Sequence, residues 1–252
     1  MSKLADLIRR TTRVEGRPLG FGSGTRQSQA SMLLVALVPE RWSQGASDAT
    51  AAGADVVLLT GRPGDKDIAD AASAAKERPS GVLAPEVDPP RLATLREAGL
   101  DFVALDTHAP ASALNENDLG FVLHIRDDLT DIQLRTLESL HLDALYLETN
   151  ASPLTIARLM ELRRVTGLAR RPLLLPVRQD AGQDELVALR ESGVGLLAID
   201  MKERGAADAM KRLRGVIDGL PKRRASRDDA RGEAMLPRAA SAHEHEDDED
   251  DD

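Results

Sequence analysis

The feature that most constrains this chain is a short strand-like pattern that occurs four times. Each copy begins with Asp or Gly, continues through apolar residues and ends in a polar one; the copies span residues 55–60, 101–106, 143–148 and 195–200. A helix-end phrase precedes each copy, and three of these phrases contain a glycine: Gly53, Gly99 and Gly193. A repeat of helix end, turn and apolar strand predicts helices that alternate with parallel strands.

Four further apolar runs complete the series. They span residues 32–38, 81–86, 120–126 and 172–178, and a helix-like segment follows each strand, although residues 108–118 have room for only a turn of helix. The strands are nearly continuous apolar runs, which is typical of parallel strands covered by helices. Eight strand-plus-helix units predict an α/β fold with a single (β/α)8 TIM barrel. A doubly wound open sheet is the structural alternative.

The chain divides into three parts. Residues 1–30 contain an amphipathic helix over 3–12, with Leu4, Leu7 and Ile8 at helical spacing, and a Gly-rich connector; this part could cap the barrel bottom or bridge subunits. Residues 31–220 form the barrel. Residues 221–252 are expected to be a disordered charged tail, because the last ten residues contain eight acids and two histidines.

Composition excludes several classes of protein. A net charge of −9 argues against a nucleic-acid partner, which would require a basic face. The absence of cysteine excludes disulfides and thiolate metal sites. No apolar run approaches the roughly 18 residues of a membrane span, and the N-terminus lacks the apolar region of a secretory signal. We therefore expect a cytoplasmic protein without a membrane partner, and the sequence leaves a homo-oligomer open.

The period of two along each strand predicts which side chains meet at the carboxyl end of the barrel, the mouth. In the even strands the inward set is Leu58, Ala104, Tyr146 and Ala198, followed two residues later by Thr60, Asp106, Glu148 and Asp200. In the odd strands one register aligns Ala36, Ala84, His124 and Pro176, followed by Val38, Glu86, Arg126 and Arg178. The mouth would then hold four acids, two arginines and a histidine.

These residue types indicate an acid–base site for an anion. His124, Asp106 and Glu148 are the candidate catalytic residues, because a histidine beside carboxylates can move a proton near neutral pH. Four acids in one layer cannot all stay ionised without compensation, and oxygen ligands suit Mg²⁺ or Mn²⁺; the candidate ligands are Glu86, Asp106, Glu148 and Asp200. The candidate substrate-binding residues are Thr60, Arg62, Arg126 and Arg178.

Other interpretations stay open for single residues. Asp106 and Asp200 could simply cap their own loops, and Asp55, Asp101 and Asp143 at the strand starts are expected to stabilise the opposite end of the barrel. The sequence carries no signal for flavin, NAD or PLP. The lysines near strand ends, Lys66 and Lys202, lie in loops, and the loops after strands seven and eight are poor in glycine.

The phrases at residues 52–59 and 98–106 resemble repeat units of (β/α)8 enzymes, including phosphosugar-binding barrels, flavin-dependent barrels and phosphoenolpyruvate/pyruvate-type lyase barrels. The first two groups carry a Gly-rich phosphate signature near strands seven and eight, which this chain lacks. The resemblance implies the barrel fold and a site at its C-terminal mouth. The lyase group uses acidic metal ligands and an arginine, which this chain could supply from Glu86, Asp106, Glu148, Arg126 and Arg178.

Two functional hypotheses follow. The first is a metal-assisted lyase or isomerase that acts on a small anionic metabolite, an oxoacid or a sugar phosphate, at the barrel mouth. The second is a barrel without catalytic activity that serves as a scaffold or ligand-binding module, because fold alone does not decide function.

Overall fold

Eight parallel strands close into a barrel in chain order in the computed structural model, which describes residues 2–12, 31–149 and 153–221. The strands are β1 (Leu33–Val38), β2 (Val56–Leu59), β3 (Ser80–Leu83), β4 (Phe102–Asp106), β5 (Gly120–Ile125), β6 (Ala144–Leu147), β7 (Leu173–Pro176) and β8 (Val194–Asp200). Strand β1 pairs with both β2 and β8, which closes the sheet. The predicted (β/α)8 barrel is confirmed, and the open sheet is not found.

Eight α-helices accompany the strands among the described residues. They are α1 (Lys3–Thr12), α2 (Trp42–Ala51), α3 (Asp65–Ala74), α4 (Pro89–Glu97), α5 (Asp131–Thr136), α6 (Ile156–Ala169), α7 (Gln183–Glu191) and α8 (Ala206–Asp218). Helix α1 precedes the barrel, α8 follows β8, and the others connect strands on the outside. Strand β4 is followed only by a 3₁₀ turn over Ala111–Asn115, as its short connection predicts. None of the helices in the described part of the chain is both long and apolar enough to span a membrane.

Two separate apolar clusters hold the barrel together. The outer one packs strand residues such as Val57, Val103 and Leu145 against the helices. The inner one fills the barrel with the alternate residues, among them Leu58, Ala104 and Tyr146. Since successive side chains of a strand point to opposite faces, each strand contributes to both clusters, and this explains why the strands read as continuous apolar runs.

The amino end of the barrel is closed by α1. Leu4 and Ile8 join the inner cluster, and both are buried. The backbone N–H groups of Lys3 and Leu4 donate to the two carboxylate oxygens of Asp101 at 2.7 and 2.8 Å. First-turn N–H groups have no partner inside their own helix, so Asp101 acts as the N-terminal cap of α1 from a distant part of the chain. Of the two roles left open for the N-terminal helix, the structure shows that it caps the barrel bottom.

The other two acids at strand starts also stabilise this end. Asp143 accepts hydrogen bonds from the Ser2 hydroxyl and the Phe121 N–H, each at 3.2 Å. Burial raises the pKa of Asp143 above its ordinary value of 3.8, although the Phe121 hydrogen bond opposes this. Asp55 accepts from the Leu34 N–H at 2.9 Å and pairs with Arg214 at 2.7 Å. The expected structural role of these acids is confirmed.

The register predicted for two odd strands is wrong. In β1 the residues Ala36 and Val38 pack outward, whereas Leu33, Val35 and Leu37 face the interior. All six residues of β1 are apolar and buried, so its sequence gives no indication of which face points inward. Helix α2 fixes the choice, because a Cβ on Gly45 would lie 2.5 Å from Cγ1 of Val38 and glycine therefore leaves room for the valine.

Strand β3 also differs from its prediction. It ends at Leu83 and not at Glu86, and Ala84 packs against the outer cluster and not into the barrel. Pro85 has no N–H to extend the ladder, and Asp88 already caps α4 by accepting from the Arg91 N–H at 3.0 Å. Glu86 is therefore an exposed loop residue.

Gly81 in β3 makes space for a large interior side chain. A Cβ at this position would lie 2.6 Å from three ring atoms of Phe102, which is itself buried. The ring of Phe102 thus occupies the volume that any other residue at position 81 would need.

Replacing Gly81 by alanine tests this packing. We expect Gly81→Ala to lower the free energy of unfolding by about 1–3 kcal/mol, because it overfills the interior. Gly167→Ala in α6 is the matched control: a methyl group there meets open space among the described residues, and alanine should stabilise the helix by about 0.5–1 kcal/mol. Urea denaturation of both variants measures the two values, and equal stability of the two would contradict the packing.

The Gly-rich connector of the predicted N-terminal part, residues 1–30, lies outside the described residues, and so does the charged tail predicted over residues 221–252, apart from Pro221. Both stay predictions.

Candidate functional site

The even strands place their polar ends at one edge of the barrel. Leu58, Ala104, Tyr146 and Ala198 belong to the inner cluster, as the alternation predicts. Asp106 and Asp200 are the last residues of β4 and β8, and Thr60 and Glu148 directly follow β2 and β6. These four residues therefore surround the barrel mouth.

His124 is the central polar residue of this edge. In the strand ladders its Cα pairs with that of Asp106 on one side and that of Tyr146 on the other. Its side chain is only 11% exposed, and its ring stacks on Tyr146 with centroids 5.1 Å apart and planes at 29°. The inward orientation predicted for His124 is confirmed.

The imidazole lies close to a carboxylate but is not hydrogen-bonded to it. His124 Nε2 is 3.1 Å from Glu148 Oε2, which is within ion-pair distance. The angle does not suit a hydrogen bond, and Nε2 is buried without a hydrogen-bond partner among the described residues. A buried polar atom normally has a partner, so Nε2 is available to a group that enters the mouth.

Two of the predicted catalytic and metal-binding acids bind their own loops. Asp106 Oδ1 accepts from the Thr107 hydroxyl and the His108 N–H, both at 3.1 Å, and lies 2.8 Å from His108 Nδ1. The His108 side chain lowers the pKa of Asp106 below its ordinary value of 3.8, although partial burial opposes this. Asp200 Oδ1 accepts from the Lys202 N–H at 2.8 Å. The capping interpretation therefore holds for both residues.

The predicted arginines differ in how their charge is balanced. Arg178 Nε lies 3.0 Å from Asp180 Oδ1, and its Nη2 lies 3.9 Å from Glu185 Oε2, so acids of its own loop and of α7 compensate it. Arg126 and Arg62 are exposed, and no acid of the described residues pairs with either of them. Arg126 follows β5 two residues after His124, which makes it the cation placed best for an anion at the mouth.

Thr60, the remaining predicted binding residue, forms its hydrogen bonds through the backbone. The carbonyl oxygen of Thr60 accepts from Trp42 Nε1 at 3.0 Å, and its N–H donates to the Val38 carbonyl at 2.9 Å. These bonds hold the β2 end in place, while the partly buried hydroxyl makes no hydrogen bond to another described residue.

The four predicted metal ligands are not gathered into one set. Glu86 is exposed in its loop, Glu148 lies beside His124, and Asp106 and Asp200 bind their own loops. In residues 2–12, 31–149 and 153–221, no three histidine or acidic side chains come close enough together to hold a metal ion. The residues therefore do not fit the predicted ion in this arrangement, and the roles assigned to them stay predictions.

Tyr146 is a site residue to which the sequence assigned no role. Its side chain is 3% exposed, and burial raises its pKa to about 12, with further contributions from the charges of Glu148 and Asp200. Two features of the sequence could have indicated Tyr146: it is the only tyrosine of the chain, and it lies two residues before a carboxylate of the mouth. The contact between Asp106 and His108 is a second feature that the sequence analysis does not predict, although the spacing Asp106–Thr107–His108 allows it.

A separate cavity opens beside the barrel between α2 and α8. Its volume is about 380 Å³, and Asp48, Glu203, Asp208 and Lys211 provide its charged lining. None of the predicted site residues lines this cavity, and its acids would repel an anion.

The fold is shared with enzymes of known structure. No family model and no curated protein matches the sequence. A thiamine phosphate pyrophosphorylase from Pyrococcus furiosus is 14% identical with a TM-score of 0.57, and the match covers 75% of this chain and 97% of that chain. A tryptophan synthase α-subunit from Pyrococcus furiosus is 13% identical with a TM-score of 0.57, over 75% and 97% of the two chains.

A third similar structure is an HpcH/HpaI aldolase from Desulfitobacterium hafniense. It is 13% identical with a TM-score of 0.53, and the match covers 75% of this chain and 94% of that chain. At such low identity these similarities define the fold: this chain is a TIM barrel.

Because Tyr146 is the only tyrosine of the chain, its titration can be measured directly. In the folded protein the phenolate absorbance should rise with a midpoint near pH 12 and not near the ordinary 10.0. Because the folded state favours the neutral phenol, Tyr146 contributes stability that is present below pH 10 and is lost as pH rises through 12. Circular dichroism verifies that the barrel stays folded, and a midpoint near 10 in folded protein would contradict the burial of Tyr146.

Proposed function

We propose that this barrel is an enzyme, a lyase or isomerase, that moves a proton on a small anionic metabolite, an oxoacid or a sugar phosphate, at its C-terminal mouth. One observation carries the proposal: a histidine nitrogen that is buried, has no hydrogen-bond partner among the described residues and lies 3.1 Å from a carboxylate oxygen. Active sites of TIM barrels lie at this end of the strands.

The proposed step is the removal of a proton from carbon. His124 Nε2 takes the proton from a carbon beside the substrate's carbonyl group, and the electron pair of the C–H bond moves toward the carbonyl oxygen. Glu148 stabilises the resulting imidazolium, because an opposite charge within about 4–6 Å favours the charged form. Protonation of the former carbonyl carbon, with the proton of the neighbouring hydroxyl group passing to the former carbonyl oxygen, gives isomerisation. Expulsion of a hydroxyl or phosphate group from the carbon next to the deprotonated one, with the electron pair of the broken carbon–oxygen bond leaving on that group, gives a lyase reaction.

The anionic group of the substrate is proposed to bind Arg126. This guanidinium is exposed, follows the strand that carries His124, and forms no ion pair with an acid of the described residues. Guanidinium groups bind carboxylates and phosphates through paired hydrogen bonds. Arg62 is the second candidate for the same role, whereas Arg178 is already compensated by Asp180 and Glu185.

The structural comparisons support an enzyme. The three similar barrels are named as a pyrophosphorylase, a synthase subunit and an aldolase, and the last of these belongs to the lyases. The fold alone would allow other functions, so the proposal depends on the mouth residues.

The predicted Mg²⁺ or Mn²⁺ ion stays a prediction. No step above uses it, because the four candidate ligands are not gathered into one set among the described residues. If they do hold such an ion, removing it with a chelator should lower the activity, and adding Mg²⁺ or Mn²⁺ back should restore it. Activity that chelation leaves unchanged would remove the ion from the mechanism. The cytoplasmic location, the absence of nucleic-acid and membrane partners, and a homo-oligomer are likewise predictions.

Deuterium incorporation from heavy water tests the proposed step directly. We expect the protein to introduce deuterium beside the carbonyl group of at least one member of a panel of 2-oxoacids and sugar phosphates, followed by NMR. His124→Gln should lower this rate by about 10²–10⁴-fold, which is the usual contribution of a general acid or base. The matched control is His141→Gln, since His141 is exposed before β6 at the other end of the barrel.

Two results would contradict the proposal. One is the absence of exchange in every substrate of the panel, and the other is exchange that His124→Gln leaves unchanged.

A barrel without catalytic activity is the second candidate, and one observation favours it. Asp106, Asp200 and Arg178 are all engaged within their own loops or the adjoining helix, so much of the mouth charge is already compensated. Such a scaffold or ligand-binding module would bind an anion without exchanging its protons, which is the result that the exchange experiment distinguishes.

A further inference from the structure

The aromatic ring of Tyr146 extends from the barrel interior toward the mouth. Its layer in the inner cluster also contains Ala104 and Ala198, whose small side chains leave room for an aromatic ring. The ring stacks on His124, which limits its freedom to rotate. Tyr146 is the last inward residue of β6 before Glu148, and the charges of Glu148 and Asp200 act on its hydroxyl, so the phenolic end lies toward the mouth.

The hydroxyl forms no hydrogen bond to any of the described residues. Tyr146 as a whole is 3% exposed, but its phenolic oxygen is not among the fully buried atoms, so it is open to a group that enters the mouth. Among the described residues, two polar groups without a hydrogen-bond partner, the Tyr146 hydroxyl and the buried His124 Nε2, thus occur on neighbouring strands at the same end of the barrel.

We propose that Tyr146 is a catalytic residue whose hydroxyl donates a hydrogen bond to the substrate's carbonyl oxygen while His124 removes a proton from the adjacent carbon. This inference rests on the proposed function and narrows its substrate class to carbonyl compounds that can form an enolate and also carry an anionic group.

The proposed step moves one proton and two electron pairs. The C–H bond breaks and its proton goes to His124 Nε2, its electron pair forms the new carbon–carbon double bond, and the carbonyl electron pair moves onto oxygen. The Tyr146 O–H then bonds to an oxygen that has become negative. Donors fixed in advance at the site of developing charge are among the largest contributions to catalysis.

The surroundings of Tyr146 explain why tyrosine suits this role. Burial, and after it the charges of Glu148 and Asp200, raise the pKa of Tyr146, so the hydroxyl keeps its proton and acts as a donor over the whole working pH range. Phenylalanine would fill the same volume and stack on the same histidine, but it would offer no donor. The Tyr146→Phe variant therefore separates a catalytic role from one in packing.

The first arm of the test uses two stable mimics of the reaction's intermediate. Oxalate resembles the enolate of an oxoacid, and 2-phosphoglycolate resembles the enediolate of a sugar phosphate. The protein is labelled with ¹³C at the phenolic carbon of tyrosine, which gives one resonance because the chain has one tyrosine. We expect that saturation with at least one mimic shifts this resonance.

The second arm measures affinity by calorimetry. Tyr146→Phe should weaken binding of that mimic by about tenfold or more, because a hydrogen bond to a charged group is lost. His141→Gln should bind like the wild type, and a thermal melt establishes that Tyr146→Phe is folded. The same variant should lower the rate of deuterium exchange while leaving the binding of inorganic phosphate, which has no enolate oxygen, within about twofold.

The outcomes separate the two proposals. Binding that Arg126→Gln weakens, together with an unmoved tyrosine resonance and an unchanged affinity in Tyr146→Phe, would overturn the role of Tyr146 and leave the proposed function standing. If neither mimic binds the wild type and no exchange is found, the proposed function fails, and the role of Tyr146 fails with it.

Discussion

Closure of the barrel is the constraint on which the other features of this protein depend. A parallel strand presents alternate side chains to opposite faces, and closure gives the two faces different neighbours: the helices outside and the other strands inside. Once the ladder pairs Asp106, His124 and Tyr146 side by side, the inward residues of adjacent strands must meet at the mouth. The contact between His124 and Tyr146 is therefore a consequence of register and not of any local sequence motif.

The two ends of the barrel use carboxylates differently. At the amino end, Asp101 and Asp143 hold α1 in place through hydrogen bonds from backbone N–H groups and the Ser2 hydroxyl, and α1 buries Leu4 in the interior. At the mouth, Glu148 lies beside a histidine nitrogen without satisfying it. These hydrogen bonds stabilise the amino end, whereas the mouth contains a buried histidine nitrogen without a hydrogen-bond partner among the described residues. This nitrogen is the physical basis for placing the chemistry at the mouth.

The sequence predicts the inward face of a strand correctly where polar residues distinguish that face from the outer one. The even strands end in Thr60, Asp106, Glu148 and Asp200, and these ends indicated the inward set correctly. In β1 every residue is apolar and buried, so only the packing of Val38 against Gly45 of α2 decides which face points inward. The end of β3 was misplaced because Pro85 and the Asp88 cap stop the strand before Glu86.

Sequence patterns also could not show which charged side chains compensate one another. The partners of Arg178 lie in its own loop and in α7, and Asp106 bonds to His108, two residues away. Which charged groups pair depends on differences of a few ångströms in loop geometry. The spacing of residues along the sequence does not determine these differences. The alternation placed Tyr146 inward, but its importance became visible only through its contact with His124 and through a hydroxyl that bonds to none of the described residues.

The most direct test of the account is a nuclear Overhauser spectrum of the aromatic protons in the folded, full-length protein. The chain has one tyrosine and five histidines, so a tyrosine–histidine cross-peak can be assigned by variants. We expect cross-peaks between the Tyr146 ring and a single histidine ring, and these should disappear in His124→Gln but persist in His141→Gln. A folded protein in which the Tyr146 ring shows no histidine cross-peak would contradict the stacked pair at the mouth, and with it the site proposed for this barrel.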